Sequence, residues 1–358
     1  MSKVLVIVKE TRLSGSVKIA MESSFQFNQQ FDLLTMGCED VNNDKNLLKQ
    51  YSHINNIFYG CGILGLIKFL LKNSSKYELL YSHSSINGFV VRLFKLFFKF
   101  KVIHVVHGVA WHSKSNILIR VTTFLIDYIF ALFLTDSLVL VNSHYYKFFP
   151  GCKKRRVIWN YADIKLPITN DTITKNIIFV GRLDNQKRPL LFLEIIKDNL
   201  SLIQSEGWSI SIFGDGKLKD SCIRFVLENK MTSIITFYGW TDWRSKYTFK
   251  DCIHCTSSAW EAFGLNIVET GLLSIPTIAF DVEGLGEVIK EGETGLLVKS
   301  KLYYSRALKE IIINKKFRQY LGKNAKIVYE KKYSKENFNY EYNKLFKPYF
   351  LEKGIGED

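Results

Sequence analysis

The chain has 358 residues, with 49 Lys and Arg against 34 Asp and Glu (net +15), 47% hydrophobic and 14% aromatic residues, 22 Gly, 5 Pro and 6 Cys. These proportions exclude a disordered chain, a collagen-like repeat and a disulfide-stapled miniprotein. At about 100–200 residues per domain, the length predicts two domains, each able to bury its own core, with a cleft where they meet.

The N-terminal segment MSKVLVIVKE carries a short apolar run, Val4 to Val8, with no small-residue cleavage site after it, so it reads as a first buried strand rather than a signal peptide. Cysteines scattered at 38, 61, 152, 222, 252 and 255 without such a leader fit a reducing compartment, and a cytoplasmic location is expected. Further apolar runs follow at FDLLTM (31–36), ELLYSH (78–83), KVIHVVHG (101–108) and SLVLVNS (137–143), separated by helix-like stretches. Strands alternating with helices predict a parallel, doubly wound sheet. The pattern starts again with NIIFVGR (176–182) and continues through SISIFGDG (209–216), ITFYGW (235–240), DCIHCTSS (251–258), IPTIAF (275–280) and TGLLV (294–298). The expected fold class is therefore α/β, with two Rossmann-like doubly wound domains at 1–168 and 169–333. The proline-containing stretch near 164–175, which lacks apolar periodicity, divides them. Residues 334–358 open with Ser334 and Asn337 in a capping pattern and carry Phe338, Tyr340, Tyr342, Leu345 and Phe346 at mostly helical spacing, which predicts a packed terminal helix.

Charge is unevenly spread: residues 1–165 hold 21 Lys and Arg against 10 Asp and Glu, the remainder 28 against 24. Read as a helix through about residue 100, GFVVRLFKLFFKFKV (88–102) sets Arg92, Lys95 and Lys99 in one stripe and covers the rest with Phe, Leu and Val. That segment is either a core helix with snorkelling basic residues or an interfacial helix on an anionic membrane, and only the second also accounts for the charge excess. An integral span is not expected, because ILIRVTTFLIDYIFALFL (117–134) contains Arg120 and Asp127. Nor is a nucleic-acid partner, since the basic residues are mixed with Phe and Leu and no recognition module occurs.

Two blocks could carry chemistry. In VGRLDNQKRP (180–189), Gly181 ends a strand where backbone can approach a ligand, and Arg182 and Lys187 follow in a loop at the carboxyl edge of the sheet. Two cations beside a helix start suit a diphosphate, although the loop taken alone could equally be a solvated basic turn. In SSAWEAFGLNIVETGLLSIPTIAFD (257–281), Gly264 lets the amides of Phe263, Gly264 and Leu265 face an anion, while Glu261 and Glu269 stand eight residues apart, slightly over two helical turns. One carboxylate would suit a sugar and the other ribose hydroxyls. Cys252 and Cys255 fall on opposite faces of a predicted strand and read as core; no metal site is expected. KKRR (153–156) reads as a solvated charge run, and IFGDG lacks the full dinucleotide fingerprint.

Taken in order, VGRLDNQK, IFGDGKLKD (212–220), ITFYGW, SSAWEAFGLNIVE (257–269), GLLSIPTIAFD (271–281) and GLGEVIKEGETGLLV (284–298) resemble the retaining family-4 glycosyltransferases, also called glycosyltransferase group 1, over most of residues 176–332. The resemblance implies a GT-B architecture, with the nucleotide-sugar on the second domain, the acceptor on the first, and the terminal helix crossing back onto the first. It implies that Arg182 and Lys187 neutralise the donor diphosphate, that Glu261 contacts the transferred sugar and that Glu269 holds the ribose. In the first domain, HVVHG (104–108) would present His107 to the donor sugar, with His104 pointing to the other face as a core histidine. Gly15, in KETRLSGSVK (9–18), stands where the family commonly has a glycine pair near the phosphates. The implied activity is retaining, metal-independent transfer from a UDP- or GDP-sugar, with no permanently bound cofactor, to a glycan or polyprenol-diphosphate-linked acceptor of bacterial surface polysaccharide synthesis, at the inner membrane face. The rival readings are a GT-B protein that binds nucleotide-sugar without transfer and a nonhydrolysing nucleotide-sugar epimerase.

Overall fold

The computed structural model describes residues 3–11, 15–27, 29–109, 116–164 and 171–350. The expected boundary at 168/169 and the last residues of the expected tail, 351–358, lie outside the described residues. The chain forms two compact units, Met1–Asn160 with Glu336–Asp358, and Tyr161–Lys335.

The first unit is built on a parallel sheet of seven strands. In chain order these are β1 (Val4–Val8), β2 (Phe31–Thr35), β3 (Ile54–Tyr59), β4 (Leu79–His83), β5 (Lys101–Val106), β6 (Ser137–Leu140) and β7 (Arg155–Val157), arranged 3-2-1-4-5-6-7. The inner strands are apolar on both faces because helices cover both; every residue of β1 is buried. The helices are α1 (Gly15–Ser24), α2 (Val41–Gln50), α3 (Ile63–Asn73), α4 (Ser85–Phe94) and α5 (Ile117–Phe133).

The 88–102 segment differs from its expected form. After Phe94 the amides of Lys95, Leu96 and Phe97 bond three residues back, to Arg92, Leu93 and Phe94, and this tightening ends the helix before β5 begins. Arg92 is not on a surface stripe: it is buried, its guanidinium ion-paired with Asp127 of α5 and held 5.5 Å from the Phe130 ring. Lys95 pairs with Asp136. The KKRR run also divides, with Lys153 and Lys154 exposed and Arg155 and Arg156 half-buried in β7. No helix among the described residues is long and apolar enough to cross a membrane.

The second unit repeats the plan with β9 (Asn176–Val180), β10 (Ser209–Phe213), β11 (Ile235–Gly239), β13 (Ile253–Thr256), β14 (Thr277–Phe280) and β15 (Gly295–Val298), all parallel, in the order 11-10-9-13-14-15. Two short strands, β8 (Thr172–Thr174) and β12 (Thr248–Lys250), pair separately. Its helices run from α6 (Pro189–Asp198) through α7 (Leu200–Ser205), α8 (Lys219–Glu228), α9 (Trp243–Lys246), α10 (Leu265–Leu272) and α11 (Lys301–Ile313) to α12 (Lys315–Lys332). Phe179, Phe192, Ile196, Trp208 and Tyr304 belong to its core, and Cys252 and Cys255 are buried there with their thiols pushed up to about 12 by desolvation.

The last helix, α13 (Lys335–Phe350), packs within the first unit. Phe346 meets the rings of Phe27 at 4.6 Å and Tyr81 at 5.4 Å, and Tyr349 shares a hydrogen bond with Ser137 at 2.8 Å.

Candidate functional site

In the second sheet β9 lies between β10 and β13, where the strand order reverses. Loops leaving the carboxyl ends of two neighbouring strands at such a point diverge, which is where open α/β sheets accept ligands. Here those loops are 181–188 and 257–264.

The first loop is shaped by Asp184, whose carboxylate accepts the amides of Gln186 and Lys187, both at 3.1 Å. This side-chain turn reverses the chain and fixes the start of the Lys187 side chain. Gly181 has φ 152°, and a Cβ there would crowd the Lys187 methylenes at 3.2 Å. Arg182 is largely exposed; it donates to Gln186 Oε1 at 2.8 Å and lies 3.2 Å from Asp184. The two loops are laced together. The Gln186 carbonyl accepts from the Ala259 amide at 2.7 Å, and Arg188 donates to the carbonyls of Ser257 and Ser258 at 2.6 and 2.8 Å. Burial lowers the pKa of Arg188.

This lacing brings the Lys187 ammonium onto the carboxylate of Glu261, whose same oxygen accepts from Ser258 Oγ at 2.6 Å. Both side chains are mostly buried, 14% and 8% exposed. Gly284, at φ 93°, backs this point so closely that a Cβ would sit 2.3 Å from the Glu261 carbonyl oxygen.

Glu261 precedes α10, and Gly264 at φ 86° starts that helix. Leu265 is its first residue and is half-buried, whereas Phe263 is buried with its ring edge-on to Tyr333 at 5.2 Å; backbone amides are thus what Phe263 could offer an anion. Asn266 donates to the Val180 carbonyl at 2.9 Å, pinning α10 beside the end of β9. Glu269 lies within α10, buried, and is ion-paired with Arg244 of α9, which also binds Asp242 at 2.9 Å. Burial opposes the charge on Arg244, but the two carboxylates outweigh it and raise its pKa.

The structure therefore brings Lys187 and Glu261 into contact, places Arg182 on the same loop but against Gln186 and Asp184, and pairs Glu269 with a different cation. Arg244 was not among the sequence candidates, because a lone arginine in a polar turn carries no motif.

In the first unit, His107 follows β5 and shares a 2.7 Å hydrogen bond between its Nε2 and Nδ1 of His83, the last residue of β4; the rings stack at 5.0 Å. His83 also escaped the sequence reading. Its Nε2 is buried without a hydrogen-bond partner among the described residues. Burial lowers both pKa values, that of His107 to about 4, so both rings are neutral near pH 7. His104 lies within β5, buried and 3.0 Å from Ser82 Oγ. Gly15 is the first residue of α1 and is exposed; residues 12–14 before it lie outside the described residues.

The family model for glycosyl transferases group 1 matches residues 165–328. An uncharacterised 41.2 kDa protein in the cps region of Klebsiella pneumoniae is 31% identical over 258 residues, 66% of this chain and 68% of that protein. The UDP-Gal:alpha-D-GlcNAc-diphosphoundecaprenol alpha-1,3-galactosyltransferase of Escherichia coli is 25% identical over 260 residues, 66% of either chain. Among solved structures, Anabaena Alr3699/HepE in complex with UDP and glucose matches with a TM-score of 0.79 over 97% of this chain and 100% of that chain, at 15% identity. That likeness shows the fold, which is GT-B. With the paired parallel sheets, the matched residues and the Klebsiella relative together, the chain belongs to the group 1 glycosyltransferases.

Proposed function

We propose that this protein transfers a sugar from a UDP- or GDP-sugar to a hydroxyl of a glycan or lipid-linked glycan acceptor, with retention of configuration and without a metal, in bacterial surface polysaccharide synthesis at the inner face of the cell membrane. The observation that carries this reading is the Lys187–Glu261 pair, a cation and a carboxylate from adjacent loops at the carboxyl edge of the second sheet. Cleavage of the donor's C1–O bond leaves negative charge on the departing diphosphate. Lys187, Arg182 and the amides at the start of α10 would stabilise that charge where it develops, the part a divalent ion plays in other sites. A donor phosphate competes with Glu261 for the Lys187 ammonium. Once displaced, the carboxylate is available to sugar hydroxyls.

Glu269 would in the same way exchange Arg244 for the ribose hydroxyls, which donate to it. The acceptor hydroxyl attacks from the face the diphosphate leaves, and a diphosphate oxygen takes its proton, so no covalent enzyme intermediate is needed. His107, kept neutral, would present an uncharged hydrogen-bonding group to the donor sugar, with His83 fixing its ring. Support for the substrates comes from the relatives: the Escherichia coli enzyme is named for a UDP-Gal donor and a diphosphoundecaprenol acceptor, and the Klebsiella protein is encoded in a cps region.

Thermal unfolding with UDP, GDP, ADP and CMP, in EDTA and then with magnesium, tests the donor site, since a ligand of the native state raises the midpoint. One nucleoside diphosphate should raise it, and the rise should survive EDTA. A folded protein stabilised by none of them would overturn the reading, and binding without turnover of any sugar conjugate would favour a non-transferring role.

A further inference from the structure

We propose that the outward face of α5, together with the apolar corner after α4, seats in the interfacial layer of an anionic lipid bilayer. This deepens the membrane placement above and rests on it.

A helix on the surface of a water-soluble protein normally turns a polar face outward. On α5 the outward positions are apolar: Leu118, Val121, Leu125, Ile129 and Phe133 recur at spacings of three and four, and all are exposed, Leu118 and Phe133 by more than 70%. Ala131 is the one α5 residue that is fully buried. The hydrogen-bonding capacity of its threonine side chains is met within the helix: Thr122 and Thr123 fold their hydroxyls back onto the carbonyls of Leu118 and Ile119, both at 2.6 Å, while Asp127 turns inward to Arg92. Beside it, α4 packs on α5 through the Phe89–Phe130 stack at 5.2 Å, and the turn that ends α4 exposes Leu96 and Phe97. At about 1.5 Å per residue the helix is roughly 25 Å long, too short to span a bilayer but suited to lying in its surface.

Charge decides what covers this face. Residues 84–160 hold eleven Lys and Arg against two Asp and Glu, a net of +9, and both acids, Asp127 and Asp136, are in ion pairs with Arg92, Lys95 and Lys101. Arg120 is exposed on α5 itself. Lys153 and Lys154 are exposed on a segment tied to α5 by the Tyr128 hydroxyl on the Pro150 carbonyl at 2.8 Å, and Lys99 is exposed beyond Phe97. An isologous contact between two copies would set this positive rim against itself. Anionic headgroups complement it.

The test is flotation of the full chain, without nucleotide or acceptor, on phosphatidylcholine vesicles and on vesicles containing about 30% phosphatidylglycerol. The protein should partition at least about tenfold better onto the anionic vesicles. Leu118→Gln with Leu125→Gln and Ile129→Gln should lower that partitioning by about a hundredfold, each lost apolar side chain being worth about a factor of ten or less. Lys153→Gln with Lys154→Gln should weaken the preference for the anionic lipid. Because these side chains are exposed, the variants fold, and an unchanged nucleotide-induced thermal shift shows it; that shift also reads the donor site separately, so failure of one reading is distinguishable from failure of the other. Wild-type protein left unbound by anionic vesicles, a triple glutamine variant that binds as well as wild type, or a wild-type dimer that the variant converts to monomer would each overturn the proposal.

Discussion

Lys187 and Glu261, 74 residues apart in the chain, form an ion pair at the carboxyl edge of the second sheet. A mostly buried pair is costly to break from one side only, by about 3–5 kcal/mol, because the remaining charge stays desolvated. Glu261→Gln keeps the shape and the Ser258 contact, so it should fold, retain nucleotide binding and lose about a hundredfold or more in turnover. Arg182→Ala combined with Lys187→Ala should instead weaken diphosphate binding first. Titration calorimetry with nucleotide, set beside transfer rates, separates the two; near-wild-type turnover in both variants would remove this site from the chemistry.

Glu269 is held by Arg244, and its partner in the donor complex is expected to be ribose. Glu269→Ala should weaken UDP or GDP binding by about 1.5–3 kcal/mol, the range for hydrogen bonds to a charged group. The sharper measurement compares a nucleotide with its 2′-deoxy form. Wild type should discriminate between them, and the variant should bind them alike.

His107 and His254 are both kept neutral by burial, with pKa values lowered to about 4 and about 3. In the unfolded chain such rings take up a proton below about 6.5, so between that value and the folded one the unfolded state binds more protons. Stability from these residues is therefore fully present above about pH 6.5 and declines as the pH falls toward 4, by up to about 1.4 kcal/mol per pH unit for each ring. Urea unfolding at pH 7, 6 and 5 should show this decline, and it should be shallower in His254→Gln. A flat profile would mean that these histidines take up their protons in the folded protein over the same pH range as in the unfolded chain.

Gly284 sits at φ 93° against the Glu261 carbonyl. Gly284→Ala introduces both backbone strain and a clash, together costing about 1–3 kcal/mol. It should lower the melting temperature and reduce turnover through a displaced Glu261. A melting temperature equal to wild type would show that the loop yields without penalty.

The two parallel sheets were legible because buried strands need continuous Val, Ile, Leu and Phe, as in VLVIV and NIIFV. Edge strands are different. In β3, Asn55 and Asn56 break the apolar run, and their amides bond Asp32 across the edge at 3.1 and 2.9 Å. Strand β7 hides within KKRR, its Arg155 lying 4.4 Å from the Tyr146 ring. The end of α4 was overrun because nothing between Phe94 and Lys101 is a glycine or proline; the amide spacing closes it instead. Arg244 and His83 had no sequence signal of their own, since each is defined by a partner 25 or 24 residues away.

The return of α13 to the first unit has a consequence for synthesis. Phe27 and Tyr81 meet Phe346 only after the whole of Tyr161–Lys335 has been made. A chain emerging from the ribosome thus has every residue of the second unit before the first has its closing helix, and the first unit must wait, with aromatic core uncovered, for residues translated last. A chain truncated after residue 335 and released from the ribosome should accordingly display a protease-resistant second unit and a first unit still open to cleavage.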